Sequence, residues 1–323
     1  MHPAPMPASG SESLYKLRHR PFSEKLIDSG FQNLVALLAL TVAIILFGIF
    51  LIVGMQSWEA IQAFGLNFII NSRWDPVQNE YGAFTAIYGT LLTSILALIL
   101  AVPLGVGTAI FLTEDFIPAK IRTLISNMVE LLAAIPSVVL GLWAIFVLEP
   151  MIRPALELIH QLLGWVPFFS TTPSGPGVMP AVLILTIMLL PIITAISRDS
   201  LNQVPEDLRQ AAYGVGATRW TAILKVMIPA AISGIIGGVM LALGRAMGET
   251  MAVTMIIGNQ TSFNISWFAP GNTIASMIAN QFGEAGELQM SSLMYAALVL
   301  MAITFLVNVV AQGIVQRLAL KYE

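Results

Sequence analysis

The chain has 323 residues, of which 57% are apolar and 10% charged, whereas a soluble domain carries about a quarter charged residues. A net charge of −3 gives no bulk attraction for nucleic acid, and the absence of cysteine excludes disulfide frameworks, thiolate metal sites and cysteine nucleophiles. The histidines, His2, His19 and His160, are too scattered for a metal site, and nothing in the sequence asks for a cofactor.

Residues 1–33 are polar and read as a cytoplasmic N-terminal tail. The first apolar run, Leu34–Met55, is long enough to cross a bilayer core, which takes about 20 helical residues. It begins too far in, and runs too long, for the core of a cleaved signal peptide. With the outer loop behind it, this span makes up a segment over 34–80. Five further runs follow at Thr85–Leu112, Leu124–Leu148, Val178–Ser197, Ile232–Ile257 and Ser292–Val315. They are too long and too continuously apolar for barrel strands. Helices satisfy their own backbone groups in lipid, so the expected fold is an all-α membrane protein with six transmembrane helices. Pro103, Pro136 and Pro191 lie inside spans two, three and four and read as kinks.

Lysine and arginine set the orientation. With both termini cytoplasmic, twelve basic residues fall on the inner side: Lys16, Arg18, Arg20, Lys25, Lys120, Arg122, Arg198, Arg209, Arg219, Lys225, Arg317 and Lys321. The outer loops then hold Arg73 and Arg153 alone, and Arg245 is left inside span five. The expected location is the cytoplasmic (inner) membrane, crossed many times and in contact with lipid.

The inner loop over 198–229 is the most soluble-looking stretch of the chain. Pro205, Glu206 and Asp207 suit a helix start, with acids in the first turn, and Leu208-Arg-Gln-Ala-Ala-Tyr213 continues it. Gly214 and Gly216 stop it. A second helix is expected from near Thr218 to Val226, with Pro229 opening span five. Small residues at Ala211, Ala212, Gly216 and Ala217 allow another surface to approach closely.

Span five carries Arg245 and Glu249 in an otherwise apolar run. Central charges of this kind are costly and seldom face lipid. At a spacing of four they share a helical face and can pair. Two readings are open: a self-compensating buried pair, or a pair lining a translocation path. Guanidinium forks suit oxyanions, and a nearby acid keeps affinity weak enough for release. Glycines at 234, 238, 237, 244 and 248 line two stripes of the same helix, permitting close helix packing. Glu130 stays outside the expected site.

The inner loop resembles the "EAA" loop of ABC-importer permeases. Gln210-Ala211-Ala212, three residues, Gly216, nine residues and Val226-Met-Ile-Pro229 match its spacing, with Gln in place of Glu. Gly244-Arg-Ala-Met-Gly-Glu-Thr-Met-Ala-Val253 and Leu132-Ala-Ala-Ile-Pro-Ser-Val-Val-Leu-Gly-Leu-Trp143 resemble signatures of the PstC-type permease subunit of phosphate-specific ABC importers. That resemblance implies a type I ABC-importer transmembrane domain over 81–323, whose short loop helix docks on a nucleotide-binding subunit. It implies phosphate translocation involving Arg245 and Glu249. It further implies a heterodimer with a sister permease subunit, a dimer of ATP-binding cassette subunits, and a soluble or lipid-anchored phosphate-binding protein. The coupling contacts would come from Asp207, Leu208, Gln210, Ala211, Ala212, Gly216, Ala217 and Pro229. The chain has no Gly-Lys-Ser/Thr and so no P-loop, which puts ATP hydrolysis on another polypeptide and makes this a non-catalytic subunit. Three alternatives stay open: an importer for another oxyanion such as sulfate or molybdate, an ion-coupled secondary carrier, and a non-transporting sensory subunit.

Overall fold

The computed structural model describes residues 22–114 and 116–319. The expected tail and Lys16, Arg18, Arg20 and Lys321 therefore lie wholly or largely outside the described residues. The chain divides into two units, Met1–Ile52 and Val53–Glu323. The first contains most of α1 (Phe22–Gln56), whose spanning part, Ser29–Gln56, has a mean hydropathy of 3.1.

The second unit starts with α2 (Trp58–Phe64), α3 (Asn67–Ile70) and a hairpin of β1 (Trp74–Asp75) and β2 (Glu80–Tyr81). Its centre is a pair of long helices, α4 (Phe84–Thr113) and α8 (Val178–Asn202). Thr186 Oγ1 donates to the Ala97 carbonyl at 3.5 Å and Thr194 Oγ1 to that of Gly105 at 3.3 Å. The residue offset is the same at both points, so the two helices run parallel. A stripe of Ala97, Ala101, Gly105 and Ala109 makes the approach close. A Cβ on Gly105 would meet Ile193 Cγ2 at 2.7 Å. Pro103 and Pro191 sit inside unbroken helices, as expected of kinks.

Span three departs from expectation. α5 (Ala119–Ala134) stops where Ile135 and Pro136 turn extended, and α6 (Ser137–Trp143) restarts after them. The ring of Pro136 disfavours helical backbone at Ile135, and its missing N–H cannot join the helix. A π turn, Ala144–Leu148, then leads into α7 (Glu149–Leu163). The helix long enough to cross is thus Ser137–Leu163, not Leu124–Leu148. Its charges suggested a loop, but Arg153 forks onto the buried Glu149 with two bonds of 2.8 Å. The pair neutralises itself, and Arg153 belongs to a helix rather than a loop.

Span five is shifted too. Beyond α9 (Glu206–Gly214) and a turn, α10 (Arg219–Ala222), a π turn (Ile223–Met227) and α11 (Ile228–Gly248) follow one another without interruption. The crossing helix is Arg219–Gly248, not Ile232–Ile257. Both π turns end two residues before a proline, Pro150 and Pro229. A widened turn absorbs the missing N–H and the clash of the ring with the preceding turn. α12 (Met251–Ile256), α13 (Ile274–Gln281) and α14 (Glu287–Ala319) complete the chain. Six helices are long and apolar enough to cross a membrane among the described residues.

One core joins α4, α6, α8, α11 and α12 through Ala97, Leu140, Leu185, Leu189, Ile193, Ala246 and Val253. A second binds α2, the hairpin, α13 and α14, with Phe68 stacked on Tyr295 at 4.4 Å and Trp74 Nε1 bonded to Gln281 Oε1 at 2.7 Å.

Candidate functional site

The helix carrying Arg245 ends three residues later. Gly248 closes α11, Glu249 has extended backbone (ψ 117°), and α12 begins at Met251. Arg245 therefore occupies the last turn of its helix, where a cation answers the exposed carbonyls of the helix end, rather than the middle of a long span. Glu249 lies beyond that helix. The expected pairing on one helical face does not form: among the described residues the Arg245 side chain makes no ion pair or hydrogen bond. Glu249 instead serves the next helix, its Oε1 accepting from the Ala252 N–H at 3.3 Å. Thr250 Oγ1 donates to the Gly248 carbonyl at 3.1 Å. The expected pair becomes a free cation at one helix end and a capping carboxylate at the start of the next. Non-helical backbone at membrane depth is tolerated inside protein or beside water, and broken helices of this kind build ion and substrate sites in transporters.

The two sequence stretches that carried the resemblance meet here. A Cβ on Gly141 would stand 3.0 Å from Ala252 Cα and 2.8 Å from Met255 Sδ, so only glycine lets α6 lie this close to α12. The glycine stripes divide. Gly234 and Gly238 press on Ser200 and Ile196 of α8, whereas Gly237, Gly244 and Gly248 face open space. Gly244 and Gly248 line a largely apolar cleft of about 430 Å³ with Leu300, Met301, Thr304, Phe305 and Asn308 of α14. Arg245, the residue after Gly244, is exposed. α5 buries none of its residues. Ile121, Leu124, Met128 and Leu131 stand exposed along one side of it. Among the described residues nothing covers these faces.

The inner loop folds as a helix, a tight turn and a second helix. α9 ends in a left-handed residue, Gly216, at φ +84°. The Ala217 N–H reaches the Ala212 carbonyl at 3.0 Å and the Gly216 N–H reaches that of Tyr213 at 2.9 Å, the pairing of a glycine-ended helix. Nothing lies within 4 Å of where a Gly216 Cβ would be, so conformation rather than space demands glycine there. Thr218 Oγ1 caps the second helix, accepting from the Thr221 N–H at 3.3 Å. Of the expected contact residues, Asp207, Leu208, Gln210, Ala211 and Gly216 are exposed. Ala212 is buried, Ala217 and Pro229 are half-buried, and Pro229 sits in α11. Val215, not singled out in the sequence, is 87% exposed. The loop is seated on the transmembrane helices by Ile223 and Met227, which pack with Ala109 and Leu201.

Two polar features escaped the sequence. Glu114, at the end of α4, is buried and pairs with Arg209 at 3.3 Å. Arg198 of α8 bonds Ser126 of α5 and lies 4.0 Å from Glu130. No hydrophobic period marks either, because each joins residues far apart in the chain.

A permease is the class that six crossing helices, a solvent-facing helical loop and an interrupted helix with an unpaired arginine define. Residues 101–322 match the family described as binding-protein-dependent transport system inner membrane component, and the chain belongs to that family; it is a multi-pass inner-membrane protein. Among curated relatives, the phosphate transport system permease protein PstC of Mesorhizobium japonicum is 43% identical, covering 91% of each chain. That of Haemophilus influenzae is 44% identical, covering 92% of this chain and 96% of its own. Among solved structures, a subunit of a bacterial alginate ABC transporter superposes with a TM-score of 0.61 at 17% identity, covering 91% of this chain and 98% of that one. A chain of the MetNI methionine ABC transporter gives 0.52 at 19% identity, covering 75% and 95%. These structures share the fold.

Proposed function

We propose that the chain is a transmembrane subunit of an ATP-driven importer that moves inorganic phosphate across the cytoplasmic membrane. The observation that carries this reading is Arg245, an exposed guanidinium without an internal partner at a helix interruption, in a chain whose relatives named for phosphate transport match nine-tenths of its length. A guanidinium offers forked hydrogen bonds to phosphate oxygens. Glu249, four residues on, is held by its capping bond to α12. It opposes the arriving anion and keeps its residence short.

In this reading the chain does not itself hydrolyse ATP. A dimer of ATP-binding cassette subunits docks on the loop over 198–229, through Asp207, Leu208, Gln210, Ala211, Val215 and Gly216. A sister permease covers the open faces of α5, α11 and α14. A soluble or lipid-anchored phosphate-binding protein delivers substrate from outside. Both termini are cytoplasmic, as the distribution of lysine and arginine favours. The absence of native cysteine makes the topology directly testable. A single cysteine at Val215 is expected to react with impermeant maleimide in inverted vesicles stripped of the ATPase subunits and not in right-side-out ones; the opposite pattern sinks the orientation. For the function itself, the assembled complex in proteoliposomes is expected to take up labelled phosphate with ATP present and ion gradients collapsed. Arsenate should compete, and sulfate and molybdate should not. Uptake that survives ATP removal, or yields to sulfate, defeats the reading.

A further inference from the structure

Besides its apolar seat, the inner loop is held through Glu114 and Phe116, between α4 and α5. Glu114 is 3% exposed. Its Oε1 is buried without a hydrogen bond, and Arg209 Nη2 of α9 stands 3.3 Å from it. Two residues on, Phe116 stacks on Trp220 of α10 with centroids 5.4 Å apart. The Arg219 guanidinium carbon lies 5.3 Å from the Phe116 ring centre. Phe116 stacks in turn on Phe111 of α4 at 6.1 Å. An aromatic column and an ion pair thus tie both helices of the loop to the end of α4, which lies against α8 through Gly105 and Ile193.

The ion pair is the stiffer of the two ties. A buried carboxylate oxygen without hydrogen bonds depends on the position of its counter-charge, because little water screens the pair. If α9 moves, Glu114 must follow or lose its counter-ion. Aromatic faces slide over one another at less cost.

We propose that Glu114 is the positioning residue that passes movement of the inner loop to α4, so that α4 and α8 shift together with the loop. This rests on reading 198–229 as the ATPase-docking loop. The test uses the full complex with its binding protein in proteoliposomes and reads phosphate imported per ATP hydrolysed. Glu114→Gln, nearly isosteric and uncharged, is expected to keep the ATPase subunits bound and to lower that ratio about fivefold or more. Arg209→Gln should match it, and the double variant should fall no further than either single one. Phe116→Leu should lower the ratio about twofold, within the weaker range of an aromatic contact. A purely structural role would reduce the yield or melting temperature of the complex and leave the ratio unchanged. An unchanged ratio in both Glu114→Gln and Arg209→Gln overturns the proposal, as does loss of the ATPase subunits from an otherwise folded Glu114→Gln membrane domain. If Glu114→Gln does not assemble, the ratio for Arg209→Gln decides alone. The docking reading fails separately, when a cysteine at Val215 forms no cross-link to an ATPase subunit in the wild-type background.

Discussion

The two ends of α11 respond to their sequences in opposite ways. Near its start the chain carries Pro229, the residue least compatible with a helix interior, and the helix runs on from Arg219. At its finish, over Gly248–Thr250, there is no proline, and the helix breaks. The π turn over Ile223–Met227 accounts for the first case, since one extra residue in the turn removes the demand on the missing N–H. Local hydrogen bonds account for the second. Glycine is a poor helix former, and the side chains of Glu249 and Thr250 satisfy backbone groups that a continuous helix would have used. A break in a membrane helix is thus set by what replaces the lost backbone bonds, not by proline content.

Four substitutions can break or sharpen that contrast. Arg245→Gln should have the largest effect. Losing a pair of charge-assisted hydrogen bonds worth about 3 kcal/mol cuts phosphate uptake roughly a hundredfold, with the complex still assembled on a sizing column. Normal uptake would return Arg245 to a purely structural place. Gly216→Val comes next. Left-handed backbone at a β-branched residue costs about 1–2 kcal/mol, and coupled uptake should fall about tenfold while the transmembrane core keeps its melting temperature. Glu249→Gln retains an oxygen to cap α12 but loses the charge. Phosphate should then bind a few times more tightly and leave more slowly, giving a lower maximal uptake at a lower half-saturation concentration. Unchanged binding would mean that the carboxylate does nothing but cap. Pro229→Ala should do least, within about half a kcal/mol of wild type, because the helix is already continuous. A large gain of stability there would show that the π turn does not absorb the proline.

Much of the architecture could be read from the sequence, for identifiable reasons. Spans one, two, four and six are apolar runs bounded by polar residues. Span three lies elsewhere than hydropathy places it because Pro136 breaks the helix rather than kinking it, and because Glu149 and Arg153, charges typical of a loop, pair within a helix. Span five is shifted at both ends because the helix begins before Pro229 and stops before Glu249. The inner loop is legible through its spacing, and Gly216 as a helix stop; that it stops the helix through left-handed backbone is seen in the structure. The contacts Glu114–Arg209 and Gly141–Ala252 were not legible, since no local pattern announces which distant residues will meet. The opposite environments of Arg245 and Glu249 depend on a helix end that hydropathy does not register.

The unbroken run from Arg219 to Gly248 has a mechanical consequence. Its 30 residues make a rod of about 45 Å, with the loop at one end and Arg245 a turn from the other. A tilt of about 10° about its midpoint would carry Arg245 some 3 Å sideways, by the same rise per residue, about the length of a hydrogen bond. A guanidinium on such a rod can take hold of an anion and let it go without changing its own rotamer. The hinge at Glu249–Thr250 leaves α12 free to stay behind, anchored on α6.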